Sequence, residues 1–166
     1  MQFLRKLEKK RHWDDQEWLL EKTAPSDTLN DLSSNDNSLS FYFFESEDYV
    51  DRILSALALS RDYITTIDYY IGDIDIFESA RISIDDTPGT TPDRFVNELH
   101  RDAVRLDTAK LSVLAVKMFE IRCVERINPK PLEKIIAETI KNGNVDLGSI
   151  NPNMLEKLKG KNLIEP

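Results

Sequence analysis

The sequence predicts an α+β fold with an antiparallel sheet of at least three strands, in a β-α-β-β core that helices cover. Residues 39–44 read LSFYFF and have the aromatic content of a strand. Residues 63–85 contain two runs of β-branched and aromatic residues around Gly72 and Asp73. Most of the chain after residue 91 repeats its apolar residues at helical spacing. The core is therefore mixed, and the C-terminal third is helical.

The predicted organisation has four segments. Residues 1–24 form an N-terminal helical arm, and residues 25–38 form a polar linker. Residues 39–127 form the α+β core, and residues 128–166 form a C-terminal helical extension packed on it. The arm is predicted from apolar residues that recur at near-helical spacing among charges, namely Phe3, Leu4, Leu7, Trp18, Leu19 and Leu20. The linker rests on the run TAPSDTLNDLSSNDNS, which has little to bury.

An amphipathic helix is predicted over residues 47–60, directly after the first predicted strand. Ser46 is a suitable N-cap, and Glu47 and Asp48 place negative charge in the first turn. One apolar stripe then follows, made by Tyr49, Val50, Ile53, Leu54, Leu57 and Ala58.

A β-hairpin is predicted with strands near 63–71 and 74–85. Gly72-Asp73 suits a two-residue type II′ loop, because glycine takes a positive φ at its first position. That register collects apolar side chains on one face. The other face mixes carboxylates and aromatic rings, and the residues predicted to bind a partner there are Asp68, Tyr70, Asp75 and Phe77.

A long helix is predicted from Thr91, as cap, and Pro92, at the first helical position, to about Ile127, with an interruption near Asp107-Thr108 as an alternative. Its second half is apolar on most sides, more than one sheet can cover. Either the predicted 131–142 helix or a second copy of the chain must cover the remaining sides. The second alternative predicts self-association, in a symmetric dimer, through Val113, Val116, Phe119 and Val124.

Two further helices are predicted near the C-terminus. The first begins at Pro131 and ends at Asn142-Gly143, and the second is capped by Asn151 and opened by Pro152. Local basic charge on the last helix, from Lys157, Lys159 and Lys161, supports one alternative function, a nucleic-acid-binding regulator acting through the C-terminal helices.

The composition favours a protein partner. The chain has 22 Lys and Arg against 30 Asp and Glu, a net charge of −8. Such a chain lacks the clustered cations that bind phosphate backbones or anionic membranes, so the expected partner is another protein, in particular a basic one. Cys123 is the single cysteine, and no Cys/His spacing resembles a zinc site. A cytoplasmic location, without membrane association, is therefore expected.

The main enzymatic alternative uses Asp68 and Asp75 to hold a divalent metal for phosphoryl or nucleotidyl transfer. The pattern Gly72-Asp73-Ile74-Asp75-Ile76 suggests it, but the Gly-Ser pair that precedes such carboxylates in nucleotidyltransferases is missing. His12 is interpreted as part of a helix break and His100 as part of a solvated helix face.

These observations predict a non-enzymatic intracellular protein-binding module: an acidic inhibitor, an immunity protein, a chaperone or an adaptor. No catalytic residue, cofactor or bound metal is predicted.

Overall fold

Six β-strands and seven α-helices make up the part of the chain that the structure, a computed structural model, describes: residues 1–13, 24–32, 36–121 and 123–164. The strands are β1 (Gln2–Leu7), β2 (Leu39–Phe44), β3 (Ile67–Asp73), β4 (Ser83–Asp86), β5 (His100–Val104) and β6 (Val124–Ile127). The helices are α1 (Ser26–Asp31), α2 (Asp48–Leu59), α3 (Asp75–Ser79), α4 (Arg94–Glu98), α5 (Thr108–Ile121), α6 (Pro129–Lys141) and α7 (Pro152–Gly160). Short 3₁₀ turns lie at Lys10–Trp13 and Leu147–Ser149.

The predicted fold class is confirmed. The six strands form one sheet in the order β4-β5-β2-β1-β3-β6, with antiparallel pairing at β4-β5, β5-β2, β2-β1 and β1-β3. The C-terminal region is helical, as predicted. None of the described helices is long and apolar enough to cross a membrane.

The N-terminal segment is a strand where a helix was predicted. Strand β1 lies between β2 and β3, and Phe3 and Leu4, which point to opposite faces, are both buried. A strand buried on both faces shows no clear alternation, so its short apolar run also fits helical spacing. The prediction of a helical arm is therefore wrong for residues 2–7, and residues 14–23 of that arm lie outside the described residues.

The predicted linker contains packed structure. Helix α1 occupies residues 26–31, and Thr28, Asp31 and Leu32 are buried. The polar residues that suggested a linker are used here for internal hydrogen bonds, because Thr28 donates to the His12 carbonyl and Asp31 accepts from the Trp13 indole.

The predicted hairpin about Gly72-Asp73 is wrong. Both residues belong to the end of β3, which pairs with β1, and helix α3 follows at Asp75. Phe77, on this helix, is buried in the core. The glycine is explained by crowding, because a Cβ on Gly72 would lie 2.5 Å from Cε1 of Tyr70.

The predicted long helix after residue 91 is also wrong, because strand β5 interrupts it. Helix α4 ends at Glu98, β5 runs from His100 to Val104 between β4 and β2, and α5 begins at Thr108. Arg105, with a φ of 55°, turns the chain out of the strand. The cap of α4 is Asp93, whose carboxylate accepts from the Phe95 and Val96 amides, and not Thr91.

The chain divides into two compact units. We call residues 1–45, 68–87 and 100–126 the sheet unit, which holds the strands with α1, α3 and α5. We call residues 46–67, 88–99 and 127–166 the helical unit, which holds α2, α4, α6 and α7.

Each unit has its own packing. The core of the sheet unit is aromatic, with the Phe3 ring 4.9 Å from Phe77 and 5.3 Å from Phe41. In the helical unit α2 packs along α6. The predicted helices over 47–60, from Pro131 and from Pro152 are all present there, two of them with shifted ends: residues 48–59 and 129–141.

Candidate functional site

The four residues predicted to bind a partner do not form one exposed face. Asp68 is 7% exposed, Tyr70 is fully buried and Phe77 is 3% exposed. Asp75 alone is exposed, in the first turn of α3. Three of the four therefore belong to the interior of the sheet unit, because the hairpin that would have turned them outward is absent.

Asp68 is held in a structural ion pair. Nε and Nη2 of Arg126 lie 2.6 and 2.9 Å from its two oxygens, and the Lys10 amide donates to it at 2.7 Å. Burial alone would raise the pKa of Asp68, but the hydrogen bonds and positive charges of Arg126 and Lys10 outweigh it and lower that pKa. The carboxylate ties β3 to β6 and to the turn after β1.

Tyr70 fills the space above Gly72. Its ring stacks on Phe3 at 5.5 Å, and its hydroxyl is buried without a hydrogen-bond partner among the described residues. Burial, with the charges of Cys123 and Asp73, raises the pKa of Tyr70. The ring is part of the core and is not available as a binding surface.

A second buried carboxylate, Asp31, organises the N-terminal part of the sheet unit. Its oxygens accept from Trp13 Nε1 at 2.9 Å and lie 2.9 Å from His12 Nδ1. The side chain of Asp31 is 1% exposed and that of His12 is 14% exposed. A buried carboxylate in this position is satisfied by its donors and serves to anchor α1.

Arg5 is an arginine on a central strand. It donates to the carbonyls of Ser40 and Asp31, and its guanidinium lies 5.3 Å from the centre of the Phe41 ring. Burial lowers the pKa of Arg5 to about 10, and the charge of Asp31 offsets part of that change. Its role is structural, because it joins β1 to the backbone of β2 and of α1.

The structure does not bring Asp68 and Asp75 together. Asp68 lies near the start of β3 and Asp75 lies beyond its end. The five residue steps from Asp68 to Asp73 alone span roughly 17 Å at about 3.3 Å each. Among the described residues there is no group of three His, Cys, Asp or Glu side chains that could hold a metal ion. The metal-dependent alternative has no geometric support.

A different acidic surface exists in the same segment. Residues 68–87 contain six acidic residues and one basic residue. Five of the six carboxylates are exposed, on the end of β3, on α3 and on β4, which α3 contacts. We call these five the acidic surface: Asp73, Asp75, Glu78, Asp85 and Asp86.

The acidic surface is only partly neutralised. Asp86 pairs with Arg101, with Nε and Oδ1 2.5 Å apart. In residues 1–13, 24–32, 36–121 and 123–164 the other four members form no ion pair. The surface therefore carries excess negative charge that faces solvent.

Asp102 extends this charge onto β5. It lies directly opposite Asp85 in the antiparallel pair, and it accepts from the hydroxyls of Ser40 and Thr87, each at 2.9 Å. His100 on the same strand places Nδ1 2.7 Å from the Thr87 carbonyl. The helix face predicted for His100 is thus a strand face. Sequence reasoning missed Asp85, Asp86 and Asp102, although the charge imbalance of residues 68–87 was a usable signal.

The predicted self-association residues separate into two groups. Phe119 is buried in the core, and Val124 is half-buried on β6. Val113 is 43% exposed and lines, with Val116, a shallow groove of about 430 Å³ on the outer side of α5.

The C-terminal lysines are engaged within the helical unit. Lys157 donates to the Asp62 carbonyl and lies 4.5 Å from the centre of the Tyr63 ring, and Lys161 pairs with Glu133. Two of the three lysines make these contacts and all three are exposed, so the nucleic-acid alternative stays a prediction.

No protein-family model, curated protein or solved structure matches the chain.

Proposed function

We propose that this chain is a non-enzymatic protein-binding module that receives a basic protein partner on the acidic surface of its sheet unit. One observation carries the proposal: five carboxylates from 14 consecutive positions, 73–86, are exposed, and only Asp86 among them is paired within the described residues. Surface charge of one sign steers an oppositely charged partner and excludes partners of like charge. An inhibitor, an immunity protein, a chaperone or an adaptor would each use such a surface.

A cytoplasmic location belongs to the same proposal. It is supported by the single cysteine, Cys123, which cannot form a disulfide within the chain.

The test is co-purification of the tagged chain from native lysate at low and high salt. A triple variant, Asp73→Asn with Glu78→Gln and Asp85→Asn, neutralises three members of the acidic surface. We expect the partner to be recovered at low salt and lost at high salt, because salt screens the attraction between the acidic surface and a basic partner. The triple variant should lose the partner at every salt concentration.

The matched control removes the same charge elsewhere, by Glu120→Gln, Glu125→Gln and Glu156→Gln, three exposed positions outside the acidic surface. It should retain the partner. Equal loss from both triple variants would mean that only net charge matters, and a partner that survives high salt on the first variant would contradict the proposal.

Self-association through α5 remains a prediction, now narrowed to Val113 and Val116. Sedimentation velocity at micromolar concentration should show a dimer that Val113→Lys dissociates, since a charge at a small apolar interface opposes association. A monomeric wild-type chain would contradict it.

A further inference from the structure

Strand β4 is an open edge of the sheet. It is last in the strand order, and among the described residues only β5 pairs with it. In an antiparallel pair alternate residues turn their N–H and C=O groups away from the neighbouring strand. Ser83, Asp85 and Asp86 are exposed and Ile84 is half-buried against the core. The outward backbone groups of β4 can therefore accept a further strand.

The outer strand pair places like charges opposite each other. Asp85 faces Asp102 across β4 and β5, and directly opposite residues have Cβ atoms about 5 Å apart. Asp102 receives two hydroxyl hydrogen bonds and its charge acts on the Arg5 guanidinium, whereas Asp85 forms no ion pair within the described chain. Like charges in this arrangement destabilise a sheet. A cation placed beside Asp85 from outside would relieve that repulsion.

The same residues argue against a second copy of this chain as the occupant. Pairing of β4 with another β4 would bring Asp85 and Asp86 against the same carboxylates of the copy, which is how short charged edges resist self-association. A strand that carries Lys or Arg at alternate positions instead gains backbone hydrogen bonds and charge pairing together. The edge is short, because Arg81, with a φ of 53°, precedes it and Pro88 follows it.

We infer that β4 binds a short extended segment of a basic polypeptide as a seventh strand, with alternate basic side chains of that segment beside Asp85. The inference rests on the proposed function and adds the mode of binding to it. The Asp85 side of the added strand takes a basic residue, and the opposite side, beside Ile84, takes a small apolar one.

The probe is a fluorescein-labelled eight-residue peptide of alternating Lys and Thr, measured by fluorescence anisotropy. A second peptide is N-methylated at alternate residues along one edge, which removes the donors for strand pairing and keeps every charge. The protein variants are Asp85→Lys and, as a matched control with the same charge change on α5 outside the acidic surface, Glu120→Lys. Amide hydrogen exchange of residues 83–86 is followed with and without peptide.

We expect N-methylation to weaken binding at least tenfold and Asp85→Lys to do the same, with less than a threefold change for Glu120→Lys. Exchange at β4 should slow in the complex. The inference is overturned if the N-methylated peptide binds as well as the unmethylated one. It is also overturned if both protein variants weaken binding equally and the amides of β4 are not protected. Either result would leave a purely electrostatic binding surface. Absence of peptide binding while the native partner still co-purifies also overturns the inference alone. Failure of both experiments removes the proposed function as well.

Discussion

The two units place their polar groups in different ways. In the helical unit Asp93, Asp146 and Asn151 each accept from amides two or three residues ahead, and the buried Asp93 carboxylate also pairs with Arg52, 41 positions away. In the sheet unit the buried carboxylates Asp31 and Asp68 bind donors that are 18 to 58 positions away in the chain. The contacts of Asp31 and Asp68 thus form across the fold, whereas the buried carboxylate of the helical unit combines a local helix cap with one long-range ion pair.

Charge is divided unequally as well. The segments of the sheet unit contain 19 acidic and 13 basic residues, and those of the helical unit contain 11 and 9. The helical unit is close to balance, as expected for a part whose surface is only solvated. The excess charge lies where we place binding, so substitutions in the sheet unit should affect both stability and partner choice, and those in the helical unit mainly stability.

The largest stability effect should come from Asp31→Ala. The change removes the acceptor for Trp13 Nε1 and for the His12 ring and leaves the indole N–H buried, since Trp13 is 4% exposed. We expect a loss of about 3–5 kcal/mol in the free energy of unfolding. Urea denaturation followed by tryptophan fluorescence measures it. A loss below 1 kcal/mol would mean that α1 is not anchored by this carboxylate.

Replacing a glycine by alanine should change stability in opposite directions in the two units. Gly72→Ala drives a methyl group into the Tyr70 ring and should cost about 2–3 kcal/mol. Gly160→Ala, at the end of α7 with nothing within 4 Å of the new Cβ, should stabilise by up to about 1 kcal/mol. Thermal unfolding of both variants is the check. Similar midpoints for the two would show that Tyr70 moves aside.

The difference between local and long-range contacts also explains which elements could be predicted from the sequence. Helices α2, α6 and α7 were predictable because a stripe at 3.6-residue spacing is a local signal. The predicted cap Asn151 is also found on α7, whereas the N-cap of α2 is Glu47 and not the predicted Ser46. Strand β1 was not, because Phe3, Leu4 and Leu7 fit either period, and the choice depends on β2 and β3, far along the chain. Gly72 resembled a turn glycine, because the crowding by Tyr70 becomes visible only in the folded strand. Of the four residues predicted to bind a partner, Asp75 alone is exposed and belongs to the acidic surface, because the other three are packed inside the sheet unit.

Asp68 should give the sheet unit its sensitivity to acid. Its pKa is lowered in the folded chain from an ordinary value of 3.8, so its stabilising contribution is complete above about pH 4 and is lost as the pH falls through the lowered pKa. Asp68→Asn should cost about 1–2 kcal/mol at pH 7, because Arg126 is half exposed, and should flatten the loss of stability below pH 4. Denaturation curves from pH 2 to 7 test this. If Asp68→Asn loses stability below pH 4 as steeply as the wild-type chain, Asp68 is not the source of the acid sensitivity.

The contribution of Asp51, in the helical unit, to stability should depend on pH in the opposite sense to that of Asp68. Partial burial and the negative charge of Glu138 raise its pKa, so the folded chain binds the proton more tightly than the unfolded chain. Its contribution to stability is therefore favourable at low pH and declines as the pH rises through the raised pKa. Asp51→Asn should stabilise the chain at pH 7 by less than about 0.5 kcal/mol. Destabilisation at neutral pH would show that the carboxylate makes a favourable contact instead.

Site-specific photo-crosslinking tests the central claim most directly, because it reports where the partner sits in each unit. A benzophenone amino acid replaces Glu78 on the acidic surface or Glu156 on α7, two exposed acidic positions. In native lysate of cells that naturally express the chain, we predict a crosslinked partner from position 78 and none from position 156. The crosslinked product should be lost when the lysate is at high salt. A partner captured from position 156 and not from position 78 would contradict the account, because it would place binding on the helical unit.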